Sequence, residues 1–266
     1  MAKILKKDKE APFPSPEEFF LSIPLYEAFS SEDSGFFSLE YFEGTIDTYC
    51  EGCGRHSVFS CKKKEYQSPP YLYQNYTFSH HLTCSRNNDH KLFFYFLVDR
   101  IEVMKIGQYP SLADLTKPEL QKYRKILGEQ FYREFIRSIG LISHGIGIGA
   151  FVYLRRIFES LIEKAHLQAQ LNKSWTEEIF QASRMDEKIA LLKEYLPSFL
   201  VENKSLYGIL SKGIHDLTEE ECLDAFPIVK LGVELILDEK LEQFEKEEKI
   251  QSTRKNINEL NSHLKK

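Results

Sequence analysis

Cysteine is scarce and unevenly placed, with five in 266 residues and four of them at or before position 84. So few thiols exclude a secreted disulfide framework, and their clustering in the first third points to metal binding in a reducing compartment. Long apolar runs are missing too. The longest mid-chain stretch without Asp, Glu, Lys or Arg, residues 138–154, contains His144 and four glycines, falls short of a membrane span and reads as a buried helical segment. Neither sign of charge dominates. A net charge of -5, with 28% charged and 42% apolar residues, describes a soluble globular chain and argues against a general basic coat for nonspecific nucleic-acid binding. The N-terminal Met1-Ala2-Lys3-Ile4-Leu5-Lys6-Lys7 is charged and lacks an apolar core, so no signal peptide, no membrane partner and a cytoplasmic location are expected.

What is present begins with Cys50-Glu51-Gly52-Cys53, followed by Cys84 and then His90 at Cys-x5-His spacing. Four such ligands can close a tetrahedral zinc site, with Cys50 and Cys53 on one knuckle and Cys84 and His90 on a second, polar Ser-Arg-Asn-Asn-Asp turn. Gly52 and Gly54 supply turn conformations that other residues adopt reluctantly. A full set of protein ligands leaves no position for a reactive water, so the expected Zn2+ is structural. Reduced thiols in a β-rich core are the plain alternative, and a redox dithiol is disfavoured because no βαβ pattern surrounds the motif. His81, three residues before Cys84, could replace His90; His80 and Cys61 are spare candidates.

The fold class expected is α+β: a small antiparallel β zinc-ribbon-like domain, then an all-α bundle with a long last helix. Residues 1–35 read as a tail and a short helix, with Ser15, Pro16 and Glu18 placed for a capping box. Residues 36–107 read as the β domain, in short aromatic runs such as Phe36-Phe37-Ser38-Leu39-Glu40-Tyr41-Phe42 and Tyr71 to Phe78. Residues 108–140 read as a linking helix and 141–249 as a helical bundle. Within the bundle Phe151, Leu154, Ile157, Phe158, Leu161, Ile162 and Ala165 form one helical stripe. Ser174 to Glu177 has the pattern of a capping box, and Lys212 to His215 reads as a turn between two helices. Thr218 to Glu221 has the pattern of a further capping box, and the last helix is expected to run from about Glu219 to near Lys249, with a kink at Pro227. The basic remainder, 250–266, carries Ile257, Leu260 and Leu264 at heptad-like positions, as a solvated or a dimerising tail.

Three constellations lie in the helical half. His144-Gly145-Ile146-Gly147-Ile148-Gly149 precedes a helix as a phosphate loop would, but no strand precedes it and no Gly-Lys-Ser/Thr ends it. Close helix packing through small residues is the better reading, and no nucleotide cofactor is expected. Arg155 and Arg156 either pair along the helix with Glu159 or bind phosphate. His215, near Lys212 and Asp216, could serve as a general base with Lys212 stabilising phosphate charge, or merely hydrogen-bond its turn.

Tyr153-Leu154-Arg155-Arg156-Ile157-Phe158-Glu159 and Leu210-Ser211-Lys212-Gly213-Ile214-His215 resemble the HEPN-type (higher eukaryote and prokaryote nucleotide-binding) helical domains, particularly those of uncharacterised bacterial proteins found near defence genes. The resemblance implies a helical bundle, a homodimer and a bacterial defence-type context. Ribonuclease members carry Arg-x4-6-His; this chain has His215, but Gly208, Ile209 and Leu210 where the arginine would stand. A non-catalytic zinc-binding interaction or sensor protein with a protein or RNA partner is therefore the leading expectation. A metal-independent ribonuclease using His215, and nucleic-acid binding through Arg55, Lys62, Lys63, Lys64 and exposed tyrosines, are the alternatives.

Overall fold

A computed structural model describes residues 13–62 and 75–264 of the chain. It is mixed α+β, and its contacts divide it into one unit of residues 1–118 with 142–145 and another of residues 119–141 with 146–266. The first unit opens with α1 (Pro16–Leu21), held at its start by the expected capping box: Ser15 N–H donates to Glu18 Oε2 at 2.7 Å and Glu18 N–H to Ser15 Oγ at 3.3 Å. After β1 (Ala28–Ser30) comes α2 (Ser34–Glu40). This helix replaces the β run read at Phe36 to Phe42. Asp33 caps it by accepting from Gly35 N–H at 2.8 Å, a local signal that outweighs the strand preference of the aromatics.

Five further strands follow, β2 (Gly44–Cys50), β3 (Arg55–Cys61), β4 (Tyr76–Cys84), β5 (Lys91–Asp99) and β6 (Glu102–Tyr109). They join β1 in one antiparallel sheet of order β1-β6-β5-β4-β3-β2. Of the run read from Tyr71, only its end is described, as the start of β4; residues 71–74 lie outside the described residues. Alternation places Ile46, Phe59, His80, Leu82, Cys84, Leu92, Phe94 and Phe96 on the buried face, where Phe19 and Phe20 of α1 and Leu39 of α2 complete the core. Lys105 of β6 is buried with them. Its ammonium donates to Phe19 O and to Gln108 Oε1, each at 2.8 Å. Burial pulls its pKa down to about 7.

The helices run α3 (Leu112–Gln121), α4 (Arg124–Ile142), α5 (Gly147–Ala169), α6 (Glu177–Ala182), α7 (Met185–Leu191), α8 (Ser198–Glu202), α9 (Ser205–His215) and α10 (Glu219–Leu264). Gly128, at φ +77° and ψ 170°, interrupts α4. In the second unit the predicted stripe of α5 is buried, and α5 packs on α9 and α10. Gly213 lies directly against Phe151. Lys212 to His215, read as a turn, form instead the last turn of α9, because Gly213 faces that buried ring and is retained in the helix. At α6, Thr176 is the N-cap and makes no side-chain cap bond. Glu177 serves another purpose: its carboxylate accepts from Trp175 Nε1 at 2.9 Å and Gln181 Nε2 at 2.6 Å, and lies 2.8 Å from Nε2 of buried His166. The expected capping box at Thr218 and Glu221 is present. Helix α10 runs through Pro227 for 46 residues, about 69 Å, so residues 250–264 continue it. No helix among the described residues is long and apolar enough to cross a membrane.

Candidate metal centre

The two hairpin ends meet at one end of the sheet. Cys50 closes β2, Cys53 sits in the turn to β3, Cys84 closes β4, and His90 immediately precedes β5. The first turn is tied by Gly54 N–H donating to Cys50 O at 2.9 Å, and Gly54 has φ +65°. The second is tied by Cys84 N–H to His90 O at 3.0 Å and His90 N–H to Asn87 O at 3.1 Å. Backbone pairing thus sets each ligand pair, while register between hairpins, with Phe59 opposite Cys84, brings the pairs together.

One ligand atom from each of Cys50, Cys53, Cys84 and His90 lies within 4.8 Å of the others. Tetrahedral zinc, with bonds of about 2.3 Å to sulfur and 2.05 Å to nitrogen, requires S···S edges of about 3.8 Å and S···N edges of about 3.5 Å. Cys53 Sγ to Cys84 Sγ is 3.8 Å, Cys50 Sγ to His90 Nδ1 is 3.5 Å and Cys53 Sγ to His90 Nδ1 is 3.3 Å. The donor set and its spacing therefore fit a metal such as zinc.

Surrounding groups orient these ligands. Ser57 Oγ is 3.1 Å from Cys84 Sγ, and Arg86 N–H donates to the same sulfur at 3.4 Å. Burial raises the Cys84 thiol, but the Ser57 hydroxyl and the Arg86 and Asn87 amides outweigh it and lower its pKa. Cys50 goes the other way, raised chiefly by burial. Asn87 Nδ2 stands 3.3 Å from His90 Nε2 on the far side of the ring. Ser57, Arg86 and Asn87 were not singled out from the sequence; only proximity to a ligand marks them. Gly52 has a different role from the turn role expected of it. Its φ is not left-handed, but a Cβ there would stand 2.5 Å from His90 Nε2, so hydrogen is the only side chain the ring tolerates.

The spare candidates are placed elsewhere. His81 is exposed on the opposite face of β4 from Cys84, because three residues along a strand reverse the side, and its ring lies 5.0 Å from Phe93. It cannot replace His90. His80 is a core histidine, with Nε2 at 2.7 Å from Leu39 O and Nδ1 at 3.7 Å from Cys61 Sγ. Arg55 and Lys62 are exposed, whereas Lys63 and Lys64 lie outside the described residues.

In the second unit, Arg155 donates to Glu159 Oε1 at 2.8 Å and to Tyr207 OH at 3.0 Å, and Arg156 pairs with buried Glu134 at 3.0 Å. Both arginines are held by acidic partners. Glu219 carboxylate accepts from the amides of Gly147 and Ile148, at 2.5 and 2.9 Å, so the glycine-rich segment already has its anion. A Cβ on Gly147 would stand 2.7 Å from Cys222 Cβ, which is the close packing expected there. His215 and Lys212 are exposed at the C-terminal end of α9, with no hydrogen bond or ion pair to either side chain among the described residues. That end carries the negative pole of the helix. Comparison with protein-family models, curated proteins and solved structures returned no match.

Proposed function

We propose that this is a non-catalytic zinc-binding interaction or sensor protein. In this reading the ion staples a zinc-ribbon-like end of the sheet, and a HEPN-like helical half makes a homodimer or engages a protein or RNA partner in a bacterial defence-type setting. The observation that carries it is the convergence of three sulfurs and one imidazole nitrogen within 4.8 Å of one another, with three of their separations at the values tetrahedral zinc requires. Such a set uses every position of a four-coordinate ion, so its contribution is folding free energy rather than activation of water. Metal analysis of purified protein tests it: about one zinc per chain is expected in the wild type and loss of it in Cys84→Ser. A wild-type chain purified without a chelator and containing no bound metal overturns the reading.

The partner-free exposure of His215 and Lys212, one helical turn apart, favours a second reading, a metal-independent ribonuclease. Cleavage of RNA by the wild type and its loss in His215→Ala would carry that reading; cleavage unchanged by the substitution removes its named residue.

A further inference from the structure

The second unit contains a cleft of about 470 Å³, within the range of small-molecule sites. One wall is a single face of α10, with Lys240, Gln243, Phe244 and Glu247 at successive helical turns. Lys125 and Ile126 at the start of α4, Gln168 near the end of α5 and the Glu194-Tyr195-Leu196 segment after α7 complete it, with Lys125 Nζ 3.9 Å from Glu248 Oε2.

Its lining carries two lysines, Lys125 and Lys240, and two glutamates, Glu194 and Glu247. Lys164 Nζ, beside the cleft, donates only to carbonyls, Ile126 O at 2.7 Å and Leu127 O at 3.4 Å. Lys240 has no hydrogen bond or ion pair among the described residues, and it is near enough to Lys164 for the two charges to repel. Burial lowers both ammonium pKa values, and for Lys240 the repulsion from Lys164 adds to burial while Glu247 opposes both. Lys240 lines the cleft half-buried with no direct anionic partner, and Lys164 lies behind it, an arrangement that a bound anion would relieve. Tyr195 OH accepts from Asn172 at 3.4 Å and keeps its own proton to donate, and the Gln168 and Gln243 amides add neutral donors.

We propose that this cleft is a binding site for the oxyanion, phosphate or carboxylate, of a small molecule, with Lys240 as the principal contact and Lys164 behind it. Phe244, Leu196 and Ile126 offer apolar surface for the body of the ligand. Glu194 and Glu247 at the same cleft repel further negative charge and exclude a polyanion such as a nucleic-acid backbone.

The test is thermal unfolding of the full-length chain titrated with inorganic phosphate or with acetate against chloride at constant ionic strength, in wild type, Lys240→Met and Lys240→Arg. A saturable rise in Tm with phosphate, with acetate or with both is expected in the wild type, and the active anion tells a phosphate from a carboxylate ligand. Lys240→Met should weaken the apparent affinity about tenfold to a hundredfold. Its own Tm without added anion should equal or exceed that of the wild type, because a half-buried charge is gone, and Lys240→Arg should keep the response. No rise with either anion, or equal responses in wild type and Lys240→Met, overturns the proposal.

Discussion

Replacing Gly52 by alanine tests the metal centre at the point where its geometry is tightest. A Cβ at this position meets three atoms of the His90 ring at 2.5 to 2.6 Å, well inside contact distance. The backbone there is not left-handed, so alanine brings no conformational penalty of its own; the whole effect falls on His90. The ring lies between Gly52 and the sulfurs of Cys50 and Cys53, at 3.5 and 3.3 Å, and to move away from the new methyl it must change its distance to the metal position. Displacing one of four ligands by several tenths of an ångström should weaken zinc binding about tenfold to a hundredfold, the range seen when an orienting group is lost. Competition against a chromophoric chelator reads this directly. Gly54→Ala is the matched control: its φ of +65° costs about 1 to 2 kcal/mol of stability in a residue with a Cβ, and no side-chain atom of a ligand lies within 4 Å. Gly54→Ala should therefore lower Tm and leave zinc affinity within about threefold of wild type, since that turn stays tied by its own backbone bonds. Wild-type zinc affinity in Gly52→Ala would refute the assignment of His90 as a ligand.

Lys105 should make stability depend on pH. Its folded pKa of about 7 lies below the ordinary 10.5, so between these values the unfolded chain holds more protons and stability rises with pH; the gain is complete above 10.5 and lost as pH falls through 7. The full span is about 3 to 5 kcal/mol, and the change in unfolding free energy across this window should be larger in wild type than in Lys105→Met by that amount. Glu219→Gln weakens the anionic cap on the Gly147 and Ile148 amides and should cost about 1 kcal/mol, measured by urea unfolding. Ile250, Ile257, Leu260 and Leu264 are 41 to 77% exposed on the last part of α10, a stripe with seven-residue spacing. If that stripe dimerises the chain, Ile257→Glu should halve the mass in solution by light scattering without lowering zinc content; an unchanged mass assigns the tail to solvent.

The local parts of this protein were written in short sequence patterns. Both metal hairpins could be read from the Cys-x2-Cys and Cys-x5-His spacings, because each is closed by backbone bonds within a few residues. The Ser15 and Thr218 capping boxes and the α5 stripe were legible for the same reason, since helical periodicity and caps act over three or four positions. Local reading failed where two local signals competed or where a contact distant in the chain outweighed a turn signal. Asp33 drew Phe36 to Phe42 into a helix, and the packing of Gly213 on Phe151 kept Lys212 to His215 helical. The choice between His81 and His90 needed the strand to exist before its parity could exclude His81.

The sequence by itself determined the ligand types, the hairpin turns and the division into a β-rich part and a helical part, because these depend on neighbours along the chain. Only the tertiary structure decided that Glu219 occupies the amides of the Gly147 segment, that Glu134 holds Arg156, that Gly52 makes room for an imidazole and that Lys164 lies near Lys240. Each of these joins residues from different parts of the chain. Charge and steric exclusion act through space, and no periodicity along the chain records which distant side chain the fold will bring alongside.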